Sequence, residues 1–111
     1  MLIYFRDPKF GKICASQKDL VRKFGPRQGP CIAQRLSELR ALSSLGAARA
    51  VPHLKLHKLS SRGYEQFSLT VIQPYRLILE CADDPVPRRS DGGIDPDGVM
   101  AVTIIEVIDY H

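Results

Sequence analysis

The spacing of apolar residues changes near Pro52, from a helical period to an alternating one. Residues 2–5 are a short apolar segment that predicts a strand. From Phe10 to Phe24 the apolar residues share one face at helical spacing, and a long amphipathic helix is predicted from about Pro30. The first half of the chain is therefore predicted to be mainly helical, and the second half mainly β-strand.

Cap and turn residues limit the first helical stretch. Asp7 followed by Pro8 is typical of a helix N-terminus, with proline at the first helical position. Ser16 begins the sequence SQKD, a variant of the capping box, and Gly25-Pro26 ends the apolar stripe. One or two short helices are predicted before the long one.

Alternating apolar residues predict the strands of the second half. Leu54 and Leu56 belong to the first of these strands, and the segments QFSLTV, YRLILEC and Met100–Ile108 give the others. The segment DDPVPRRSDGGIDPDG is rich in proline, glycine and aspartate, which predicts a solvated loop before the last strand. This order predicts one α+β domain over residues 1–111, with two or three helices packed on a mainly antiparallel sheet of four to five strands.

Composition argues against a membrane protein. The chain has 111 residues, of which 44% are hydrophobic and 25% charged, and no apolar stretch approaches the roughly 20 residues that a membrane span needs. Asp7 and Pro8 interrupt the early apolar patch, so no signal peptide is predicted. We expect a cytoplasmic protein.

The charge is divided unevenly along the chain. Residues 1–62 carry thirteen Lys/Arg against three Asp/Glu, whereas residues 63–111 carry three against nine, so +10 is followed by −6 within a net charge of +4. Such a division is typical of a surface that faces a polyanion, and a solvated basic helical face explains it equally well.

The sequence gives little indication of a metal site or of disulfide bonds. Cys14, Cys31 and Cys81 are odd in number and far apart, which predicts free, partly buried thiols. His53 and His57 are four apart, but four residues of a strand span about 13 Å, too far for chelation of one ion. The acidic loop lacks the glutamate spacing of a calcium loop. We therefore expect no metal and no cofactor.

The remaining polar residues are of the types that acid/base chemistry on a phosphate requires. They stand on neighbouring predicted strands: His57 and Lys58 on one, Arg76 on another, and Asp109, Tyr110 and His111 at the end of the last. Cleavage of RNA through its own 2′-hydroxyl requires a base, an acid and cations, all of which this set contains. Each residue also has a plain alternative, such as pairing of Arg76 with Glu80.

The segments LKLHKL, QFSLTVIQPYRLILE, DDPVPRRSDGGIDPDGV and AVTIIEVIDYH together resemble the HigB-like branch of the RelE/ParE toxin superfamily. The resemblance extends from about residue 30 to the end of the chain. It implies a RelE-like fold and the toxin of a type II toxin-antitoxin system, an endoribonuclease that cleaves mRNA on the ribosome. It also implies a helix-turn-helix (HigA-like) antitoxin as partner, with operator DNA reached only through that antitoxin.

Site roles follow from the same resemblance. His57 matches the histidine of the LHxL motif and, with His111, is the acid/base candidate. Tyr110 would orient or stack on a base, and Asp109 would position the tail. Arg76, together with Lys58 or Arg62, would hold the phosphate.

The turn after LHxL departs from the family pattern. A basic KGDRKG-like turn is usual there, whereas this chain has SSRGYE, with Ser60 in place of a lysine and Gly63 and Tyr64 in place of an Arg-Lys pair. Loss of an oriented cation costs about 2 to 4 kcal/mol of transition-state stabilisation, so we expect weak or altered cleavage. Two other functions stay open: a weakened toxin-like module that binds an antitoxin without cleaving RNA, and a ParE-like gyrase inhibitor.

Overall fold

A five-stranded mixed sheet forms one layer of the protein. Its strands are β1 (Leu2–Phe5), β2 (His57–Leu59), β3 (Gln66–Thr70), β4 (Tyr75–Cys81) and β5 (Ala101–Asp109). The spatial order is β1-β5-β4-β3-β2; β1 runs parallel to β5, and the other neighbours are antiparallel. This computed structural model describes residues 1–59 and 65–109. The predicted α+β class and mainly antiparallel sheet are confirmed.

The helical layer comprises α1 (Pro8–Cys14) and α2 (Gln17–Ala41). Gly25 interrupts α2 with φ 95° and ψ 168°, a conformation that glycine adopts without steric cost. The long helix predicted from about Pro30 therefore begins earlier, directly after Gly25. Among the helices of the two described stretches, none has the length and apolarity needed to cross a membrane.

Side chains cap both helices as predicted. The Asp7 carboxylate accepts a hydrogen bond of 2.9 Å from the backbone N–H of Lys9. The Ser16 hydroxyl accepts one of 3.2 Å from the backbone N–H of Asp19. Each bond satisfies a donor that has no partner within the first turn of the helix.

The core lies between the helices and one face of the sheet. Because successive strand residues point to opposite faces, alternate residues of β3, β4 and β5 face α2. The sheet contributes Phe67, Leu69, Leu77, Leu79, Val102 and Ile104, and α2 contributes Leu20, Ile32, Leu36 and Leu39, all of them buried. The helical spacing and the strand alternation seen in the sequence meet in this core.

The prediction of strand structure at Leu54 and Leu56 was wrong. Leu54 closes a short 3-10 turn, Pro52–Leu54, and is fully buried. Lys55 follows in the left-handed conformation with φ 47°, so β2 begins only at His57. Proline has no backbone N–H for a strand ladder, and burial of Leu54 turns the chain inward instead.

The segment between β4 and β5 is a loop, as predicted, but it is more than a solvated connection. Ile94 and Val99 from this loop are buried in the core. The Asp83 carboxylate closes the base of the loop by accepting hydrogen bonds from the backbone N–H groups of Met100, at 3.0 Å, and Ala101, at 3.1 Å. An acidic side chain of the loop thus satisfies backbone N–H groups at the start of β5.

The cysteines are free and partly buried, as predicted. Burial raises the pKa of the Cys14 thiol to about 11, although the Arg40 charge opposes this shift. The Cys14 thiol therefore stays protonated and weakly nucleophilic near neutral pH.

Gly29 lies at a close approach between two backbone segments of α2. A Cβ atom at this position would lie 2.8 Å from the backbone of Leu20 and Val21. We expect Gly29→Ala to lower the free energy of unfolding by about 3 kcal/mol, because backbone atoms cannot give way, even though alanine favours a helix. Chemical denaturation measures the effect.

Gly11→Ala is the matched control for this change. Its Cβ would meet the Phe5 ring at 3.3 Å, a side chain that can shift. We expect a change of less than about 1 kcal/mol in this variant. Equal effects of the two substitutions would contradict the close approach.

Candidate functional site

The face of the sheet opposite the helices carries polar side chains near one end. His57 on β2 lies directly opposite Ser68 on β3, and Ser68 lies opposite Ile78 on β4. Arg76 is two residues before Ile78 on the same strand, so it projects from the same face. His57 on β2 therefore lies directly across from Ser68, and Arg76 on β4 lies diagonally across from Ser68.

Ser68 orients Arg76. The Ser68 hydroxyl is fully buried and accepts a hydrogen bond of 2.8 Å from Nε of Arg76. A terminal nitrogen of the same guanidinium donates to the backbone carbonyl of Lys55 at 2.9 Å. Glu80, the partner considered from the sequence, instead accepts a hydrogen bond from the Gln66 amide at 2.9 Å. The guanidinium is thus fixed by a serine and a turn rather than by that carboxylate.

Lys58 is not brought together with His57. It pairs with Phe67, whose ring belongs to the core, so its side chain leaves β2 on the other face. There it lines a separate cleft together with Arg49 and Arg89. The geometry therefore separates Lys58 from the phosphate-holding role expected beside His57.

Asp109 lies at the end of β5, opposite Tyr75 at the start of β4, and is exposed. Its neighbour Ile108 is the residue that pairs with Arg76. The last strand thus ends beside the strand that carries Arg76, as expected. Tyr110, His111 and Arg62 lie outside the described residues, as does the departing turn at residues 60–64.

Ser68 and Lys55 were missed by reasoning from the sequence. Ser68 had a detectable signal, because Gln66, Ser68 and Thr70 form a polar alternation through an otherwise apolar strand. Lys55 gave no such signal in the sequence, because it contributes only a backbone carbonyl, and it does so from a left-handed conformation that is uncommon for lysine.

His53 belongs to a different cluster from His57. Its Nε2 is hydrogen-bonded to the Glu38 carboxylate, which also accepts from Arg35 at 2.9 Å. Arg35 in turn donates to the backbone carbonyl of Thr70 at 2.9 Å. This network connects α2, the 3-10 turn and β3. In the described part of the chain, no three His, Cys, Asp or Glu side chains are grouped so as to hold a metal ion.

Glu38 has a perturbed acidity because of this network. Partial burial raises its pKa, but the hydrogen bonds and charges of His53 and Arg35 together outweigh burial and hold the pKa below its ordinary value of 4.5. The carboxylate is therefore ionised in the folded protein at neutral pH.

We expect Ser68→Ala to lower the free energy of unfolding by about 2 kcal/mol, because it leaves Nε of Arg76 without its buried acceptor. Thr70→Val is the matched control, since the buried Thr70 hydroxyl has no hydrogen-bond partner among the residues that the structure describes. This change should cause no loss of stability, because it removes a buried hydroxyl that has no partner to lose among these residues. Urea denaturation compares the two, and equal losses would argue against an orienting role for Ser68.

The Glu38 network predicts a pH dependence of stability. A group with a lowered folded-state pKa contributes stability above its unfolded-state pKa and loses it as pH falls through the folded value. The difference in unfolding free energy between the wild type and Glu38→Gln should therefore be largest above about pH 4.5 and shrink below it. Denaturation curves between about pH 3 and about pH 7 measure it. A constant difference would contradict the network.

No protein-family model, curated protein or solved structure matches this chain.

Proposed function

We propose that this protein is the toxin of a type II toxin-antitoxin system and acts as a ribosome-dependent mRNA endoribonuclease. The observation that carries the proposal is the placement of His57 and Arg76 on one face of the sheet, on either side of Ser68. An imidazole on the same face of the sheet as an oriented guanidinium is a pair that acid/base chemistry on a phosphodiester uses. The resemblance of LHKL, PYRL and DYH to the HigB-like toxins supports the same function, with a RelE-like fold.

The proposed reaction uses the RNA strand's own nucleophile. A base takes the proton of the 2′-hydroxyl, the 2′-oxygen attacks phosphorus, and an acid gives a proton to the leaving 5′-oxygen. The products are a 2′,3′-cyclic phosphate and a free 5′-hydroxyl. His57 and His111 are the acid/base pair in this proposal, Tyr110 stacks on or orients a base, and Asp109 positions the tail. No metal takes part.

Arg76 supplies charge to the phosphorane. Its hydrogen bonds to Ser68 and to the Lys55 carbonyl fix the plane of the guanidinium before substrate arrives. A donor oriented in advance stabilises developing charge without reorganisation at the moment of reaction. Loss of Ser68 should for this reason lower the cleavage rate as well as stability.

The second candidate function is a module that binds the helix-turn-helix antitoxin without cleaving RNA. The specific observation in its favour is the position of Lys58, which leaves β2 on the face away from His57. A phosphate at His57 would then receive less positive charge than the sequence suggested. The proposed ribonuclease is accordingly a slow one.

Induced expression of the wild type should arrest growth and translation, and primer extension on a reporter mRNA should show cleavage on the ribosome. His57→Ala and His111→Ala should each reduce cleavage at least 100-fold, the order expected when a general acid or base is removed. His53→Ala is the matched control, since this histidine is engaged by Glu38; it should still cleave.

The outcomes separate the candidates. Arrest by His111→Ala at the wild-type level would overturn the assignment of His111. Intact mRNA together with tight binding of a helix-turn-helix partner encoded beside the gene would establish the non-cleaving module instead. Arrest with intact mRNA and inhibited DNA supercoiling would point to gyrase and exclude the ribonuclease.

A further inference from the structure

A cleft of about 290 Å³ lies beside Lys58. Three cations from distant parts of the chain line it: Arg49 from the 3-10 segment Leu45–Ala50, Lys58 from β2, and Arg89 from the loop between β4 and β5. Asp91 is the carboxylate among the lining residues. The lining thus has an excess of positive charge.

The neighbouring carboxylates leave two of these cations available. Arg49 forms a salt bridge of 3.1 Å with Asp97. Within the two described stretches of chain, the side chains of Lys58 and Arg89 form no salt bridge. Asp91 accepts a hydrogen bond of 2.8 Å from the backbone N–H of Gly93, which shapes the loop.

Glu65 carries a further negative charge near Lys58. The Lys58 charge contributes to lowering its pKa, but the larger cause is a hydrogen bond from Arg88. The Arg88 guanidinium binds both Glu65 oxygens, at 2.6 and 2.8 Å. Arg88 therefore neutralises the carboxylate that would otherwise compete for Lys58.

Part of the cleft lining is apolar. Leu56, Phe67 and Ile94 form this part, with Phe67 and Ile94 buried in the core beneath. A ligand that fits both the basic and the apolar residues of this lining needs an anionic group next to a weakly polar body. The cleft volume is near the lower limit for small-molecule sites, which suits one nucleotide.

We propose that this cleft binds the phosphate ester of a nucleotide. Lys58 and Arg89 hold the phosphate oxygens through charge-assisted hydrogen bonds, and the sugar and base lie against Leu56. The proposal does not depend on RNA cleavage. It assigns Lys58 to a second site instead of the one at His57.

The two sites adjoin each other at the edge of the sheet. Arg49 and Leu56 line the cleft and also a neighbouring depression that contains His57. A nucleotide in the cleft is therefore either a free nucleotide or one unit of an RNA strand that continues toward His57. Both sources present the same phosphate ester chemistry, and binding measurements with each distinguish them.

Isothermal titration calorimetry of the full chain tests the proposal with adenosine 5′-monophosphate, hexa-adenylate RNA and inorganic phosphate as probes. We expect the Lys58→Ala/Arg89→Ala variant to bind the preferred nucleotide probe at least tenfold more weakly, as expected for loss of hydrogen bonds to a charged group. Inorganic phosphate should bind more weakly than the nucleotide, because it has no apolar part to contact Leu56 and its neighbours.

The matched control is Lys18→Ala/Arg27→Ala, which removes the same charge from exposed positions of α2; its affinity should stay within about twofold of the wild type. In ¹H–¹⁵N spectra, the Gly93 amide signal should shift on addition of the nucleotide. Binding of the monophosphate identifies a free nucleotide, and binding of hexa-adenylate alone identifies an RNA subsite. Binding of neither, or equal weakening in both double variants, would overturn the proposal.

Discussion

The antiparallel pairing of β4 with β5 is the constraint on which the other elements depend, because β1 joins the sheet through β5 and the remaining strands join through β4. The register shifts at Ile78/Leu79, which leaves Ile105 as the extra residue. One extra residue in a strand moves every later side chain of that strand to the opposite face of the sheet. Ile104 and Val107 therefore both pack against the core, although their spacing in the sequence is odd.

The division of the sheet into two faces also decides which charged residues act together. His57 and Lys58 are consecutive, and the sequence suggested one phosphate-binding group. As strand residues they point to opposite faces, so His57 joins Arg76 while Lys58 joins Arg89 across the cleft. One short edge strand thereby contributes to two adjoining surfaces, one with His57 and Arg76 and the other with Lys58 and Arg89.

Buried polar contacts and loop packing position the residues of these surfaces. Ser68 places a hydroxyl where Arg76 needs an acceptor, and the Lys55 turn adds a carbonyl. The loop between β4 and β5 inserts Ile94 and Val99 into the core and is closed by Asp83. Arg89 can line the cleft because this loop is anchored at both its apolar residues and its base. The proposed nucleotide site is thus a consequence of how the loop folds.

The helix caps at Asp7 and Ser16, the break at Gly25 and the α+β class could be predicted from the sequence, because they follow from local hydrogen bonding and periodicity. Tertiary structure decided the rest. The inward turn at Leu54 arose from core burial, which overrode strand propensity. The separation of Lys58 from His57 follows from strand alternation once β2 is known to begin at His57. The fixing of Arg76 by Ser68 depends on the register of β3 against β4, which brings together residues from two strands and a turn.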